Sequence, residues 1–270
     1  MGVSANRLII PLSRQVRATR VDSQGSREIE ETVVREHIVE IRLGGQALVR
    51  LTCLPERLDD LAIGFLFTEG ILQDIEKVRS VSVSESGDYV DVEADVDVGA
   101  LAELRAHYTF VSGCGKAGSF TDIEALMRCE RRFDLTYGIR KERVRRIMVE
   151  FQKRSELFRN TGCVHSAAVA DESDVLSFSE DIGRHNAVDK AVGQTIRARA
   201  TLRDKLLLTT GRLTLEIVAK AVRVSVPIIV SRAAPTDRAI ELAAVSHITL
   251  AGFVRGSRMN IYSAPWRIRD

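Results

Sequence analysis

A chain of 270 residues, 45% of them hydrophobic, can fold as one large domain or as two smaller ones. Its 39 basic and 37 acidic residues leave a formal net charge of only +2, which excludes wholesale binding to nucleic acid or to a membrane surface. No apolar run approaches the roughly 20 residues of a membrane span, and residues 1–20 lack the hydrophobic centre of a secretory signal, so we expect a cytoplasmic protein.

The first part of the chain predicts a small, β-rich α+β domain. We expect residues 1–20 to be a flexible segment and residues 21–105 to form the domain. Strand-like runs within residues 29–53 surround Gly44-Gly45, which is typical of a hairpin turn. A helix is predicted to follow Pro55 and to end near Gly70, and a second strand pair is predicted at residues 78–84 and 89–94.

A glycine-rich loop with one cysteine follows a short polar helix expected near Leu101. Cys114 lies between two glycines and is followed by Lys116, whose charge favours the thiolate over the thiol. The stretch alone leaves two interpretations open, a reactive thiol and a surface turn with an inert cysteine. The four cysteines of the chain form no C-x-x-C pair, which indicates reduced thiols, and we assign residues 106–140 to this loop and a linker.

Residues 141–270 predict an α/β domain in which strands and helices alternate. It begins with an amphipathic helix over residues 144–158. The predicted strands share short, continuous apolar runs and cover residues 167–170, 175–178, 205–209, 226–230 and 248–253. The predicted helices cover residues 186–199, 213–222 and 236–244. Such alternation indicates a layered sheet with parallel segments.

Two loops after predicted strands carry groups that suit an anionic ligand. Gly211 and Arg212 come between a strand and a helix, where backbone N–H groups can cradle a phosphate, although a glycine before a helix is common. Arg255 and Arg258 flank a glycine-serine turn, and Phe253 could stack on a base. The alternative for that second loop is an ordinary solvated turn.

Two polar clusters leave their roles open. A helix start accounts for Asp181 but not for Arg184 beside His185. Cys163 and His165 would lie on one side of an extended segment, where His165 could be a ligand or a structural residue.

Several long blocks in the same order resemble the FdhD family of accessory sulfurtransferases, which formate dehydrogenase requires for activity. The blocks cover nearly the whole chain and are residues 60–70, 180–193, 210–212, 234–236 and 252–260. In that family a C-G-x-C-G loop carries sulfur as a persulfide from a cysteine desulfurase to the molybdenum cofactor. The matching loop here has Cys114 as its first cysteine and Ala117 in place of the second.

The resemblance implies a fold, a ligand and partners. The larger domain would be similar to the cytidine-deaminase fold, in a three-layer α/β arrangement, and two chains would pair as a homodimer. The ligand and sulfur acceptor would be a bis-molybdopterin guanine dinucleotide cofactor of molybdenum, and the protein would hold no metal of its own. The partners would be a cysteine desulfurase and formate dehydrogenase.

The resemblance also implies the site residues, with Cys114 as the residue that carries sulfur. The residues expected to contact the cofactor are Phe253, Val254, Arg255, Gly256, Ser257 and Arg258, with Gly211, Arg212, Arg184 and His185 as further walls. Zinc-deaminase chemistry is not expected, because His165-Ser166-Ala167 lacks the glutamate of H-x-E and the chain has no P-C-x-x-C.

Ala117 removes the route in which a disulfide closing within the loop releases sulfur. Three alternatives follow for this chain. The cofactor takes the sulfur directly from Cys114, another thiol such as Cys163 assists, or the protein is a cofactor chaperone that transfers no sulfur.

Overall fold

The computed structural model describes residues 10–96, Leu126, Phe133 and residues 136–270. Within these residues it is a mixed α/β protein with four sheets and six α-helices. The cysteine loop with Cys114, Lys116 and Ala117, and the helix expected near Leu101, lie outside the described residues. Those predictions therefore stay predictions.

The N-terminal part contains a hairpin, a four-stranded sheet and one helix. Its elements are β1 (Ser13–Asp22), β2 (Gly25–Val34), β3 (His37–Leu43), β4 (Gln46–Cys53), α1 (Leu58–Thr68), a 3₁₀ turn (Ile75–Lys77), β5 (Val78–Val83) and β6 (Tyr89–Ala94). The sheet has the order β4-β3-β6-β5. The predicted turn at Gly44-Gly45 is confirmed, and both glycines have the positive φ, 58° and 73°, that such a turn requires.

For residues 13–20, the hairpin of β1 and β2 corrects the prediction of a flexible segment at residues 1–20, because β1 begins at Ser13 and pairs antiparallel with β2. Most side chains of both strands are exposed. A hairpin that buries neither face has no alternation of apolar and polar residues, and alternation is the sequence signal for a strand.

The C-terminal part is built on a six-stranded sheet with the order β13-β12-β11-β10-β8-β9. Its strands are β8 (His165–Ala170), β9 (Val175–Asp181), β10 (Leu206–Thr209), β11 (Ile228–Ser231), β12 (Thr249–Arg255) and β13 (Arg258–Ser263). Strands β10, β11 and β12 are parallel, and β8, β9 and β13 pair antiparallel with their neighbours. Strands β7 (Ile139–Arg140) and β14 (Ile268–Arg269) form a separate short pair.

Helices cover both faces of this sheet, so the C-terminal part has three layers. They are α2 (Lys141–Lys153), α3 (Glu156–Thr161), α4 (Arg184–Arg197), α5 (Leu215–Arg223) and α6 (Asp237–Val245). Alternate strand residues point to opposite faces. One set packs with α4, α5 and α6, and the other packs with α2.

The predicted helix over residues 144–158 is two helices, α2 and α3, which is a second correction. The break falls at buried Ser155, whose hydroxyl lies 2.7 Å from the hydroxyl of Ser166 on β8. The Glu180 carboxylate accepts hydrogen bonds from the N–H groups of Leu157 and Phe158, and so caps the start of α3. The contacts that divide the helix come from distant strands, so local periodicity does not show them.

Helix α1 packs directly on α4 and joins the two parts of the chain. A Cβ atom on Gly64 would lie 1.7 Å from the Asp189 carbonyl oxygen, and one on Gly193 would lie 1.9 Å from that of Asp60. Two glycines therefore allow the backbones to approach. One hydrophobic core contains residues of the four-stranded sheet, α1, α4 and α5. The predicted domain limits, 21–105 and 141–270, stay predictions.

Two buried clusters of ion pairs reinforce this contact. The Lys220 ammonium on α5 lies 2.8 Å from a Glu69 oxygen and 2.9 Å from Asp189. The Lys190 ammonium lies 2.6 Å from Asp181, whose carboxylate also accepts from the Leu54 N–H. Each cluster joins residues next to α1 with residues of the C-terminal part.

Every helix in the described ranges is too short or too polar to span a bilayer.

Candidate functional site

A cavity of about 650 Å³ opens at one edge of the six-stranded sheet. Thr210, Arg232 and Arg255 line it, and they stand at the carboxyl ends of β10, β11 and β12. Ile182, which follows β9, also lines the cavity. Strand β8 is antiparallel to β10, so its first residue, His165, lies at this same edge of the sheet and lines the cavity too. Ligands of open α/β sheets bind at this edge, and the volume is typical of small-molecule sites.

The walls of the cavity carry positive charge. The lining residues include Arg159 from α3, Arg232 and Arg255. In the part of the chain that the structure describes, Arg232 and Arg255 form no ion pair with a carboxylate, and Arg159 donates to the Lys153 carbonyl at 2.8 Å. Guanidinium groups without carboxylate partners suit the oxygens of a phosphate or another anion.

The loop after β10 is held in one conformation by hydrogen bonds. Thr210 and Ser166 exchange two bonds of 3.0 Å, from the Thr210 N–H to the Ser166 carbonyl and from the Ser166 N–H to the Thr210 hydroxyl. The Gly211 carbonyl accepts from the Ser231 hydroxyl at 2.7 Å. A Cβ atom on Gly211 would lie 3.0 Å from that of Arg184, so this position favours glycine. Gly211 and Arg184 are thus neighbours, but neither they nor Arg212 and His185 are among the described residues that line the cavity, so their predicted role as walls stays a prediction.

Two histidines adjoin this loop in their neutral form at pH 7. Burial lowers the pKa of His165, and the positive charges of Arg184 and Arg212 lower it further. Burial lowers the pKa of His185 to about 3, with added effects of Lys220 and Arg184. Within the described residues, His185 Nε2 is buried without a hydrogen-bond partner. A neutral imidazole can accept a proton or a hydrogen bond from a ligand.

The block of residues 253–258 is split between the cavity and the solvent. Arg255 lines the cavity, Val254 is buried, and Gly256, Ser257 and Arg258 lie exposed at the turn between β12 and β13. Phe253 is half-buried, and its N–H donates a hydrogen bond to the Ala233 carbonyl at 3.1 Å. Its backbone has φ 53°, a left-handed conformation that is uncommon for a bulky residue. Such strain is frequent at functional sites.

Sequence analysis missed two cationic residues of this cavity, Arg159 and Arg232. Arg232 directly follows β11, so the rule that singled out the loop after β10 could have found it. Arg159 lies in a helix that was not predicted as a separate element. Cys163 and His165, which sequence analysis placed on one side, both line the cavity. No group of three or more histidine, cysteine or acidic residues suited to a metal ion occurs among the described residues.

The fold and the cavity define a mixed α/β protein with an arginine-lined cavity at the carboxyl edge of its main sheet. Comparison with known proteins then gives the family. Residues 34–269 match the model of the FdhD/NarQ family, and the chain belongs to this family.

Two curated relatives align over nearly the whole chain. The sulfur carrier protein FdhD of Wolinella succinogenes is 39% identical over 242 residues, which are 89% of this chain and 84% of the relative. The sulfur carrier protein FdhD of Listeria innocua is 35% identical over 260 residues, which are 95% and 98% of the two chains.

One solved structure, described as a formate dehydrogenase accessory protein from Desulfotalea psychrophila, has a TM-score of 0.80 at 28% identity. The alignment covers 96% of this chain and 100% of that chain. The likeness extends over both parts of the molecule.

Proposed function

We propose that the chain is a sulfur carrier for the maturation of formate dehydrogenase. Cys114 would accept sulfur as a persulfide from a cysteine desulfurase, and the sulfur would pass to a bis-molybdopterin guanine dinucleotide cofactor. The observation that carries this proposal is the cationic cavity at the carboxyl edge of the sheet, in a chain whose relatives are named sulfur carriers. The cofactor is substrate here.

The residues present fit such a ligand. Its phosphates and guanine require planar donors, and Arg159, Arg232 and Arg255 provide three guanidinium groups around one cavity. The neutral imidazole of His165 and the hydroxyl of Thr210 add polar contacts that need no counter-charge. The remaining parts of the proposal are a cytidine-deaminase-like C-terminal domain, a homodimer and a cytoplasmic location, and the three layers of the sheet and its helices support the first of these.

A second candidate function is a cofactor chaperone that transfers no sulfur. Ala117, in place of the second loop cysteine, favours it, because a loop with one cysteine cannot eject sulfur by closing a disulfide. Activation of formate dehydrogenase separates the two functions. A Cys114→Ser variant that activates the dehydrogenase as well as the wild type would favour the chaperone.

Incubation with a cysteine desulfurase and cysteine is expected to add one sulfur atom to Cys114. A single thiolate suffices to accept sulfane sulfur by exchange, and Lys116 favours the thiolate. Mass spectrometry of tryptic peptides, alkylated to trap the persulfide, identifies the modified cysteine. Absence of sulfur from the Cys114 peptide of the wild type would contradict the proposal.

Arg255→Ala is expected to weaken the binding of GDP, a probe for the guanine dinucleotide, about tenfold or more. Loss of a hydrogen bond to a charged group costs about 1.5–3 kcal/mol, and about 1.4 kcal/mol corresponds to a factor of ten. Arg238→Ala is the matched control, since Arg238 is exposed on α6 and pairs with Glu241 at 3.5 Å. Calorimetry that gave the same affinity for both variants would remove Arg255 from the site.

A further inference from the structure

Cys163 stands at a structural boundary on the wall of the cavity. Helix α3 ends at Gly162, which has φ 66°, and β8 begins at His165. The N–H of Cys163 donates to the Thr161 hydroxyl at 3.4 Å, and its side chain is an exposed free thiol. Cys163 therefore presents sulfur to solvent at the mouth of a cationic cavity.

The groups around Cys163 are those that a sulfur-carrying thiol requires. His165, two residues further along the chain, lines the same cavity and is a neutral imidazole at pH 7, so it can take the proton of a thiol. Arg159, Arg232 and Arg255 line that cavity too, and their charges are compatible with a thiolate or a persulfide anion. Cys163 thus shares one cavity with an imidazole and three guanidinium groups.

Cys53, the other cysteine in the described residues, shows what a structural thiol of this chain looks like. It is fully buried at the end of β4, and burial raises its pKa to about 12. A thiol with such a pKa stays protonated and does not exchange sulfur. It provides an internal standard for an unreactive cysteine.

We propose that Cys163 is a second sulfur-carrying residue, which accepts sulfane sulfur and holds it beside the ligand of the cavity. The inference rests on the proposed function, and it supplies the second thiol that Ala117 removes from the loop. His165 acts as the general base that takes the thiol proton. The carrier therefore has two thiols on separate segments of the chain.

The chemical step is a thiol exchange. The Cys163 thiolate attacks the outer sulfur of a persulfide donor, R–S–SH, and forms a new S–S bond as the S–S bond of the donor breaks. The products are Cys163–S–SH and the donor thiolate, RS⁻. Sulfur moves at the zero-valent level, so the step consumes no oxidant and no reductant.

The experiment uses glutathione persulfide as the donor and follows each cysteine separately. Trypsin places the four cysteines on four different peptides, residues 51–57, 106–116, 129–131 and 160–184, which is read from the positions of lysine and arginine. Sulfur uptake is measured over time in the native wild type, Cys114→Ser and Cys163→Ser by alkylation and mass spectrometry. The 160–184 peptide is expected to gain one sulfur in the wild type and in Cys114→Ser, whereas the Cys53 peptide stays unmodified.

The rate of sulfur uptake at Cys163 tests whether this residue takes part in sulfur transfer or is only an exposed thiol. His165→Gln is expected to slow sulfur uptake at Cys163 at least tenfold, because general base assistance typically contributes about 10²-fold or more. His247→Gln is the matched control, since this half-buried histidine contacts Trp266 far along the chain. Equal rates in the two histidine variants would overturn the assignment of His165 and reduce Cys163 to an exposed thiol.

The outcomes separate this inference from the proposed function. Sulfur on the Cys114 peptide and none on the Cys163 peptide would overturn the inference and leave the proposed function in place. Sulfur on neither peptide would overturn both. Sulfur on Cys163 with none on Cys114 would support the inference and remove Cys114 from the proposed function.

Discussion

Lys220→Met is expected to lower the free energy of unfolding by about 3–5 kcal/mol, because it leaves buried carboxylates without their cation. The Lys220 ammonium also donates to the Thr68 hydroxyl at 2.8 Å, so it ties the end of α1 to α5. Burial alone would lower the pKa of Lys220, but Asp189 and Glu69 outweigh burial and raise it, so the ammonium is charged at neutral pH. Without the Lys220 ammonium, Glu69 still forms an ion pair with Arg223 at 3.4 Å. Among the described residues, Asp189 is left with a neutral donor, the Thr68 hydroxyl.

Denaturant unfolding followed by circular dichroism measures this loss. Lys141→Met is the matched control, since the Lys141 ammonium forms an exposed pair with Asp270 at 2.6 Å, and its unfolding midpoint is expected to stay close to that of the wild type. The double variant Lys220→Met with Asp189→Leu is expected to regain part of the loss, because no uncompensated charge remains at residue 189. A Lys220→Met midpoint equal to the Lys141→Met midpoint would show that this buried pair does not hold the two parts together.

Most of the C-terminal fold is predictable from the sequence. The buried strands β10, β11 and β12 lie within two residues of the predicted strands, because each is a short apolar run with polar residues at its ends. The pairing directions are not predictable in the same way. Strand β8 is antiparallel to β10, and no local property of residues 165–170 indicates the direction of a neighbour.

The elements that the sequence does not indicate depend on tertiary contacts. Strand β13 has five of its six residues exposed or half-buried, and β7 and β14 have two residues each, so none of them forms the buried apolar run that indicates a strand. The same limit applies to the site. Residues at the carboxyl ends of parallel strands, such as Thr210 and Arg255, can be assigned to one edge in advance. Arg159, in contrast, lies on α3, whose start is held by the Glu180 carboxylate of β9.

The longest blocks of family resemblance have a structural role that sequence analysis did not assign. Residues 60–70 contain most of α1, and residues 180–193 contain the end of β9 and most of α4. Their contact includes Gly64 against Asp189 and Gly193 against Asp60. Arg184 and His185, two of the predicted site residues, begin α4. The blocks therefore include residues of the helices that support the fold as well as residues that line the cavity.

Because of this helix contact, the addition of one methyl group at Gly64 is expected to have a large effect on the stability of the protein. Alanine in an exposed helix is about 1 kcal/mol more stable than glycine. At Gly64 the sign is expected to reverse, because the added methyl group would lie 1.7 Å from the Asp189 carbonyl oxygen, and backbone atoms cannot turn aside as a flexible side chain can. Helix α1 would have to move away from α4.

Gly64→Ala is therefore expected to destabilise the protein by about 3 kcal/mol or more, at the upper end of overpacking effects. Gly193→Ala is expected to cost a similar amount, since its methyl group would lie 1.9 Å from the Asp60 carbonyl oxygen. Both glycines are in one interface, so the double variant is expected to cost less than the sum of the two, because the helices that one methyl group has separated accommodate the other. Denaturant unfolding of the three variants measures the coupling. Strict additivity, or a gain in stability from either alanine, would contradict a close contact of α1 with α4.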